Sequence, residues 1–159
     1  MTSGKLVSVV DDEQDITTLF NDALIGIKGI NVLVFTDPIL ALEHFQTNQD
    51  AYVLVISDFR MPGLNGMELL KKMKDMNKFV RTILMTGFDI DHDTFHNYTK
   101  KKIINAFIQK PVRLFDLIKE VDTQLHSYEM QDISYALIYS ILKLHNVPWL
   151  LVILFSIFT

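Results

Sequence analysis

Polar residues that could do chemistry together stand directly after short apolar runs of the sequence. Asp11 and Asp12, Asp58, Thr86 and Lys110 each follow such a run. If the runs are neighbouring parallel strands, their carboxyl ends meet in one crevice. Carboxylates held together repel one another, and a hard cation such as Mg²⁺ removes the conflict. With an ammonium and a hydroxyl beside them, these acids suit phosphoryl transfer to a carboxylate nucleophile.

The elements that would position these residues alternate between strand and helix, five times in succession. The predicted strands cover 5–10, 31–35, 52–57, 81–86 and 104–109, and the predicted helices cover 13–27, 37–46, 66–76, 91–102 and 112–126. The strands are apolar throughout, which is typical of strands that are buried on both faces. The alternation therefore predicts an α/β fold, a parallel sheet with helices on both sides.

Helical spacing predicts which side chains face the core. The expected core residues are Ile16, Leu19, Phe20, Ala23, Leu24 and Ile27 in the first helix, Leu69, Leu70 and Met73 in the third, and Leu114, Leu117, Ile118, Val121 and Leu125 in the fifth. In the second helix, we expect Asp37 as the N-cap and Pro38 at the first helical position.

Composition excludes several classes of function. The chain has 159 residues, no cysteine and a formal net charge of −4. Disulfides, thiolate metal sites and cysteine nucleophiles are therefore absent, and no global basic field favours direct binding to nucleic acid. The apolar run near the N-terminus is interrupted by acids and does not form a secretory signal, so we expect a cytoplasmic protein.

Four motifs, in order, resemble the receiver domain of two-component response regulators, including the chemotaxis-regulator-like receivers. They are VVDDE at 9–13, SDFRMPGLNGMELL at 57–70, LMTGF at 84–88 and FIQKP at 107–111. The run from Asp58 to Gly66 is the most specific of them, and the match covers about Lys5 to His126. The resemblance implies a flavodoxin-like (βα)5 fold, doubly wound, with strand order 2-1-3-4-5.

The same resemblance assigns roles to individual residues. It implies that Asp58 is the phosphoacceptor, and that Mg²⁺ is held by Asp11, Asp12, Asp58 and the backbone carbonyl of Arg60. It implies that Lys110 contacts the phosphoryl group.

The resemblance also implies a conformational switch beside the phosphoacceptor. Thr86 would be the switch hydroxyl, and Phe107 would be the switch aromatic, where tyrosine is commoner in the family. Pro111 would follow a cis peptide bond.

The resemblance implies partners as well as a site. A sensor histidine kinase would donate the phosphoryl group in a Mg²⁺-dependent reaction, and a downstream protein would bind the face formed by the fourth helix, fifth strand and fifth helix. We expect a stand-alone receiver, a phosphoacceptor with self-catalysed phosphorylation and autodephosphorylation. The alternatives are a degenerate receiver that binds partners without phosphorylation and a metal-dependent phosphatase. Arg60 disfavours the phosphatase because that chemistry would need a second acid there.

Two other clusters have simpler explanations. His92 and His96 are four residues apart in a predicted helix, but no metalloprotease-like motif surrounds them, so we interpret them as part of a solvated helix start. The lysines at 100–102 are interpreted as a helix C-terminus that complements the helix dipole. The competing hypothesis is a docking patch for an acidic partner.

The C-terminal part of the sequence has a different composition. We predict a receiver domain over residues 1–128 and a hydrophobic extension over 129–159, without an effector domain. Residues 133–158 are mostly apolar, and Lys143, His145, Asn146 and Pro148 interrupt them near the midpoint. Membrane or interface association, self or partner association, and a tail without selected function all remain open.

Overall fold

A computed structural model of the chain describes residues 4–87 and 92–144. Its strands are β1 (Lys5–Val10), β2 (Ile30–Phe35), β3 (Tyr52–Asp58), β4 (Arg81–Thr86) and β5 (Ala106–Gln109). Its helices are α1 (Gln14–Leu24), α2 (Pro38–Asn48), α3 (Gly66–Met76), α4 (His92–Lys100) and α5 (Leu114–Leu144). Each strand is followed by a helix, as the sequence predicts.

The five strands form one parallel sheet in the order β2-β1-β3-β4-β5. This order confirms the doubly wound, flavodoxin-like fold. β3 occupies the centre between β1 and β4, and every residue of β3 is buried. The carboxyl ends of β1, β3, β4 and β5 consequently lie along one edge of the sheet, where the chain reverses its winding direction.

The helices cover both faces of the sheet and form two separate cores. On one face, α2 and α3 contribute Ala41, Phe45, Leu69, Leu70 and Met73. On the other face, α1 and α5 contribute Phe20, Leu24, Leu117 and Val121. The prediction for α3 is confirmed, since Leu69, Leu70 and Met73 are all fully buried.

Two of the predicted core residues are wrong. Leu19 of α1 and Ile118 of α5 are substantially exposed. Each stands next to a deeply buried residue, Phe20 and Leu117 respectively, and a helix places consecutive side chains about 100° apart. The helical spacing identified the correct stripe in both helices but made it one residue too wide.

The starts of two helices follow from their capping residues. The side chain of Asp37 accepts a hydrogen bond from the backbone N–H of Ile39 at 2.7 Å, and Pro38 begins α2, as predicted. In α3, the side chain of Asn65 accepts from the N–H of Glu68 at 2.9 Å. The loop that follows β3 therefore ends at Asn65, the N-cap of α3.

The fifth helix is longer than the sequence predicts. It continues without a break to Leu144, because its sequence contains neither glycine nor proline. Beyond residue 126 it still contacts the rest of the fold: Lys5 and Glu129 form an ion pair of 2.7 Å, and the rings of Phe79 and Tyr135 pack edge to face at 5.0 Å.

These contacts bear on the predicted extension. α5 passes through residue 128 without interruption, so the helix itself marks no boundary there. The division between a receiver domain and a C-terminal extension at that residue stays a prediction. Within 4–87 and 92–144, no helix combines the length and the apolar character needed to cross a membrane. The rest of the apolar segment, residues 145–158, lies outside the described residues.

Candidate functional site

The carboxyl edge of the sheet gathers the polar residues that the sequence singled out. Asp11 follows β1 and is completely buried, while Asp58 and Thr86 end β3 and β4 and are almost completely buried. Lys110 follows β5, which pairs with β4. Buried carboxylates are costly unless they are paired or accept hydrogen bonds, so the partners of these two acids determine what the site can do.

Lys110 bridges the two buried acids. Its Nζ atom lies 2.8 Å from Oδ2 of Asp11 and 2.6 Å from Oδ1 of Asp58. The backbone N–H of Glu13 donates to Oδ1 of Asp11 at 3.0 Å, and that of Arg60 donates to Oδ2 of Asp58 at 2.8 Å. Every oxygen of the two carboxylates thus has a partner, and one ammonium neutralises part of their combined charge.

The environment of Lys110 favours its charged form. Burial opposes the charge of the ammonium, but the hydrogen bonds and the negative charges of Asp11 and Asp58 outweigh that cost. The pKa of Lys110 is therefore raised above its ordinary value. The lysine remains a cation at any physiological pH, and it is suited to hold a further anionic group at this position.

The loop after β3 approaches the phosphoacceptor candidate very closely. A side chain at Gly66 would bring its Cβ to 1.9 Å from the backbone oxygen of Asp58 and 2.7 Å from Oγ of Ser57. The N–H of Gly66 donates to the carbonyl of Phe59 at 3.0 Å, and Oγ of Ser57 donates to the carbonyl of Asp58 at 2.9 Å. Only glycine fits here, and the resulting turn fixes the backbone around Asp58.

Sequence reasoning did not assign roles to Ser57, Gly66 and the backbone of Glu13. Ser57 and Gly66 both lie within the motif around Asp58, so the glycine was a signal for a close backbone approach. The roles of Ser57 and Glu13 depend on hydrogen bonds to backbone and carboxylate atoms. No residue-type pattern in one sequence announces these bonds.

The other predicted metal ligands are less tightly gathered. Asp12 is exposed beside the buried pair, and no three Asp, Glu, His or Cys side chains in the described ranges are grouped closely enough to hold a metal ion. Mg²⁺ nevertheless needs only one or two carboxylates, with water and phosphate oxygens completing its coordination. Asp58, its neighbouring acids and the carbonyl of Arg60 are all oxygen donors, so their chemistry fits this ion.

The predicted switch residues lie on β4, which pairs with the strand of Asp58, and on β5, which pairs with β4. The carbonyl of Thr86 accepts a hydrogen bond from the N–H of Lys110 at 2.8 Å, which connects the end of β4 to the loop after β5. Phe107 of β5 is partly buried against the core beneath α2 and α3. The peptide bond between Lys110 and Pro111 is cis, which confirms that expectation. The role of Thr86 and Phe107 as switch residues stays a prediction.

The parallel sheet of order 2-1-3-4-5, with a lysine that bridges two buried acids at its carboxyl edge, defines a doubly wound α/β protein. The family model for the response regulator receiver domain matches residues 7–122. The chain belongs to the response regulator receiver family. Receiver domains of two-component systems accept a phosphoryl group from histidine kinases or phosphotransferases, generally with Mg²⁺, and act on downstream effectors.

Curated relatives support this membership but are mostly longer proteins. The chain is 30% identical over 126 residues to the 3′,5′-cyclic-nucleotide phosphodiesterase regA of Dictyostelium discoideum, covering 78% of this chain and 16% of that protein. It is 27% identical over 134 residues to the response regulator SaeR of Staphylococcus epidermidis, covering 80% and 56%. The chain thus spans well under two thirds of both relatives.

Solved structures show the same architecture. A response regulator receiver domain from Clostridium thermocellum matches with a TM-score of 0.68 and 26% identity, over 79% of this chain and 98% of that one. The adenylate cyclase from Rhodopirellula baltica matches with a TM-score of 0.75 over 86% and 98%. Its identity is 19%, so that likeness concerns the fold alone.

Proposed function

We propose that Asp58 is the phosphoacceptor of this chain and that a sensor histidine kinase is the donor. The observation that carries the proposal is the bridge from Lys110 Nζ to Asp58 Oδ1 at 2.6 Å and to Asp11 Oδ2 at 2.8 Å. This bridge places a permanent cation beside a carboxylate at the carboxyl edge of the sheet. A structural ion pair alone would not explain why the acceptor loop also approaches Asp58 so closely.

In the proposed reaction, a carboxylate oxygen of Asp58 attacks the phosphorus of a phosphohistidine. An O–P bond forms, the N–P bond breaks, and its electron pair returns to the imidazole nitrogen, which then takes up a proton. The ammonium of Lys110 contacts one oxygen of the transferred group, and the hydroxyl of Thr86 donates a hydrogen bond to another. These groups stabilise the negative charge that spreads over the equatorial oxygens.

We further propose that Asp11, Asp12, Asp58 and the carbonyl of Arg60 hold Mg²⁺, whose charge neutralises the acids and the phosphoryl oxygens. The backbone N–H of Arg60 donates to Asp58 Oδ2, so the residue that offers the carbonyl is also fixed to the phosphoacceptor. Asp12 is exposed and would turn toward the ion from the rim of the site.

The test is covalent labelling of the full chain with acetyl phosphate and Mg²⁺. We expect a hydroxylamine-sensitive label in the wild type and none in Asp58→Asn. Asp37→Asn is the matched control, because it makes the same chemical change in a helix cap outside the site. A label that persists in Asp58→Asn would refute the assignment. No label in the wild type would favour the degenerate receiver that signals by binding alone.

We propose that output passes through the face formed by α4, β5 and α5. A groove of about 460 Å³ lies beside Lys110 and includes Phe107, Arg113 and Glu120. Phe115, also on α5, is 76% exposed and can contact a partner. Phosphorylation that draws Thr86 and Phe107 inward would reshape this groove for a protein partner.

Beryllofluoride with Mg²⁺ tests the switch without covalent chemistry. In NMR spectra of the wild type, we expect the signals of Thr86 and Phe107 to shift, and we expect no such shift in Asp58→Asn. Signals of Phe45 serve as the internal control, because this residue is buried in the same core but lies on α2 and not on a strand of the site. Unchanged Thr86 and Phe107 signals in a beryllofluoride-saturated wild type would refute the proposed switch.

A further inference from the structure

A second polar site lies at the opposite edge of the sheet, where β4 begins. It is a cleft of about 690 Å³ between the end of α3, the end of α4 and the distal half of α5. Its lining contains six basic residues, Lys74, Lys78, Arg81, Lys100, Lys101 and Lys102, and one acid, Asp75. This concentration of positive charge occurs in a chain whose overall formal charge is −4.

The lining of the cleft offers little negative charge to its cations. Among the ion pairs of the described residues, none includes Lys74, Arg81 or Lys102, and the one lining acid, Asp75, pairs instead with Lys71 at 3.8 Å. Arg81 donates to the amide oxygen of Gln124 at 2.8 Å, and the negative charge of Glu120 favours its charged form. The charges of Arg81 and Lys102 repel the ammonium of Lys74.

Lys74 is the cation that this arrangement affects most. It is about nine-tenths buried, and within the described residues the one hydrogen bond that its ammonium donates goes to the carbonyl of Lys78 at 3.3 Å. Burial, followed by repulsion from Arg81 and Lys102, lowers the pKa of Lys74 to about 8. A buried ammonium without an anionic partner is costly, and a bound anion would remove that cost.

Lys102 stands where the backbone favours glycine. Its φ is +54°, the only positive φ of a non-glycine residue in the described ranges. It closes α4 with the hydrogen bonds of a Schellman motif, from Lys102 N to the Thr99 carbonyl at 2.9 Å and from Ile103 N to the Tyr98 carbonyl at 3.2 Å. A lysine here breaks a local rule and adds a charge to the cleft, as residues at binding sites often do.

One wall of the cleft is apolar and aromatic. Phe79 and Tyr135 pack edge to face at 5.0 Å, and Ile103 and Ile138 also line the cleft. A helix terminus that merely complements its dipole needs neither this wall nor a buried Lys74. The volume is in the range of small-ligand sites, and cations above an apolar wall suit a phosphate group attached to an organic body.

We propose that this cleft binds a multiply charged, phosphate-bearing anion, either a free phosphorylated compound or the headgroup of an anionic phospholipid. Lys74 and Lys102 contact its phosphate oxygens, and the wall formed with Tyr135 contacts its organic part. The site is separate from the phosphoacceptor, because it lies at the amino ends of the strands. It uses the helix that leads into the apolar C-terminal segment.

The first probe is tripolyphosphate, titrated into the full chain by calorimetry. We expect binding that weakens as salt is added and that weakens roughly tenfold in Lys102→Gly, the equivalent of one charge-assisted contact. Lys102→Gly also places glycine at a positive φ, so we expect the variant to be more stable than the wild type. A weaker ligand affinity in a more stable protein cannot be attributed to damaged folding.

Lys28→Gly is the matched control, because it removes an exposed lysine from a loop outside the cleft. Sedimentation with phosphatidylcholine vesicles, with and without phosphatidic acid, then distinguishes the two sources of phosphate. Binding that requires phosphatidic acid and is displaced by tripolyphosphate identifies a lipid headgroup. Binding of tripolyphosphate alone identifies a free phosphorylated compound. The proposal is overturned if neither probe binds, or if Lys102→Gly and Lys28→Gly weaken binding equally.

Discussion

The ammonium nitrogen of Lys110 lies 2.6 Å from Oδ1 of Asp58 and completes a bridge to Asp11 across the ends of three strands. The lysine is 99 residues from Asp11 in the sequence. One side chain thus joins the loops that follow the first and the last strand of the sheet, and replacing it tests both the stability of the fold and the proposed phosphorylation.

We expect Lys110→Met to destabilise the fold as well as to impair phosphorylation. Removing the cation leaves two buried carboxylates facing each other, which costs several kcal/mol in a fully buried pair. Because the Lys110 side chain is 25% exposed, we expect a loss of about 1–3 kcal/mol. Urea unfolding at pH 7 measures it, and added Mg²⁺ should narrow the difference by binding the folded variant.

The same comparison has a predicted pH dependence. The pKa of Lys110 is raised in the fold, so its stabilisation is fully present below the pKa of an unfolded lysine and is lost as pH rises through the folded value. The stability difference between wild type and Lys110→Met should therefore be flat from neutral pH until the solution is strongly alkaline. A difference that disappears near pH 7 would contradict the bridge.

Gly66→Ala should disturb the acceptor loop. Its Cβ would lie 1.9 Å from the carbonyl oxygen of Asp58, and backbone atoms cannot yield as a flexible side chain can. We expect a loss of about 2–4 kcal/mol in unfolding free energy, in the range of overpacked sites, together with slower labelling by acetyl phosphate. Gly26→Ala is the control, since no atom lies within 4 Å of its added Cβ. Equal stabilities for the two variants would refute the tight approach.

Lys74→Met should stabilise the protein at neutral pH. Burial and the neighbouring cations Arg81 and Lys102 lower the pKa of Lys74 from 10.5 to about 8. Below pH 8 the fold must hold a disfavoured charge, at a cost of about 1–3 kcal/mol. Between pH 8 and 10.5 the folded lysine loses its proton before the unfolded one does, so wild-type stability rises relative to the variant.

Thermal unfolding of wild type and Lys74→Met at pH 7 and pH 10 measures this effect. The variant should have the higher melting temperature at pH 7, and its advantage should shrink at pH 10. Lys72→Met, an exposed neighbour on the same helix, provides the control and should show no pH-dependent gain. A constant difference at both pH values would contradict the lowered pKa.

Tyr135→Ala should show that the distal part of α5 belongs to the folded unit. The edge-to-face contact with Phe79 at 5.0 Å contributes about 1 kcal/mol beyond the area that the ring buries. We expect a loss of about 1–2 kcal/mol in unfolding free energy. Tyr139→Ala, one turn further along the helix and 56% exposed, should lose almost nothing. Identical losses would mean that the helix beyond residue 128 is independent of the domain.

The sequence predicted the fold well because its strands are continuous apolar runs that end in turn residues or acids. Asp37 and Pro38 marked the start of α2 through local chemistry that needs no tertiary context. The strand-end acids and Lys110 were predicted to share one crevice because parallel connectivity alone brings them there. Their pairing distances were not predictable, since these depend on backbone geometry in the loops.

Other features depended on tertiary packing and were missed. The helix that begins at Leu114 was expected to end near His126, yet contacts of Glu129 and Tyr135 with distant residues support it further. The exposure of Leu19 depends on how α1 is rotated against the sheet. The lysines at 100–102 were interpreted as a helix C-terminus, with a docking patch for an acidic partner as the alternative, whereas the cleft also needs Lys74 and Arg81 from other elements.

β4 is a single strand with the two proposed sites at its two ends, Thr86 at the phosphoacceptor and Arg81 at the basic cleft. The distance along it is about 17 Å, at roughly 3.3 Å per residue, and every residue between them is buried. Any free-energy coupling between the sites would be reciprocal. If a bound anion changes the equilibrium constant of phosphorylation by some factor, phosphorylation changes the affinity of the chain for that anion by the same factor. The strand would then make this domain an integrator of two chemical signals.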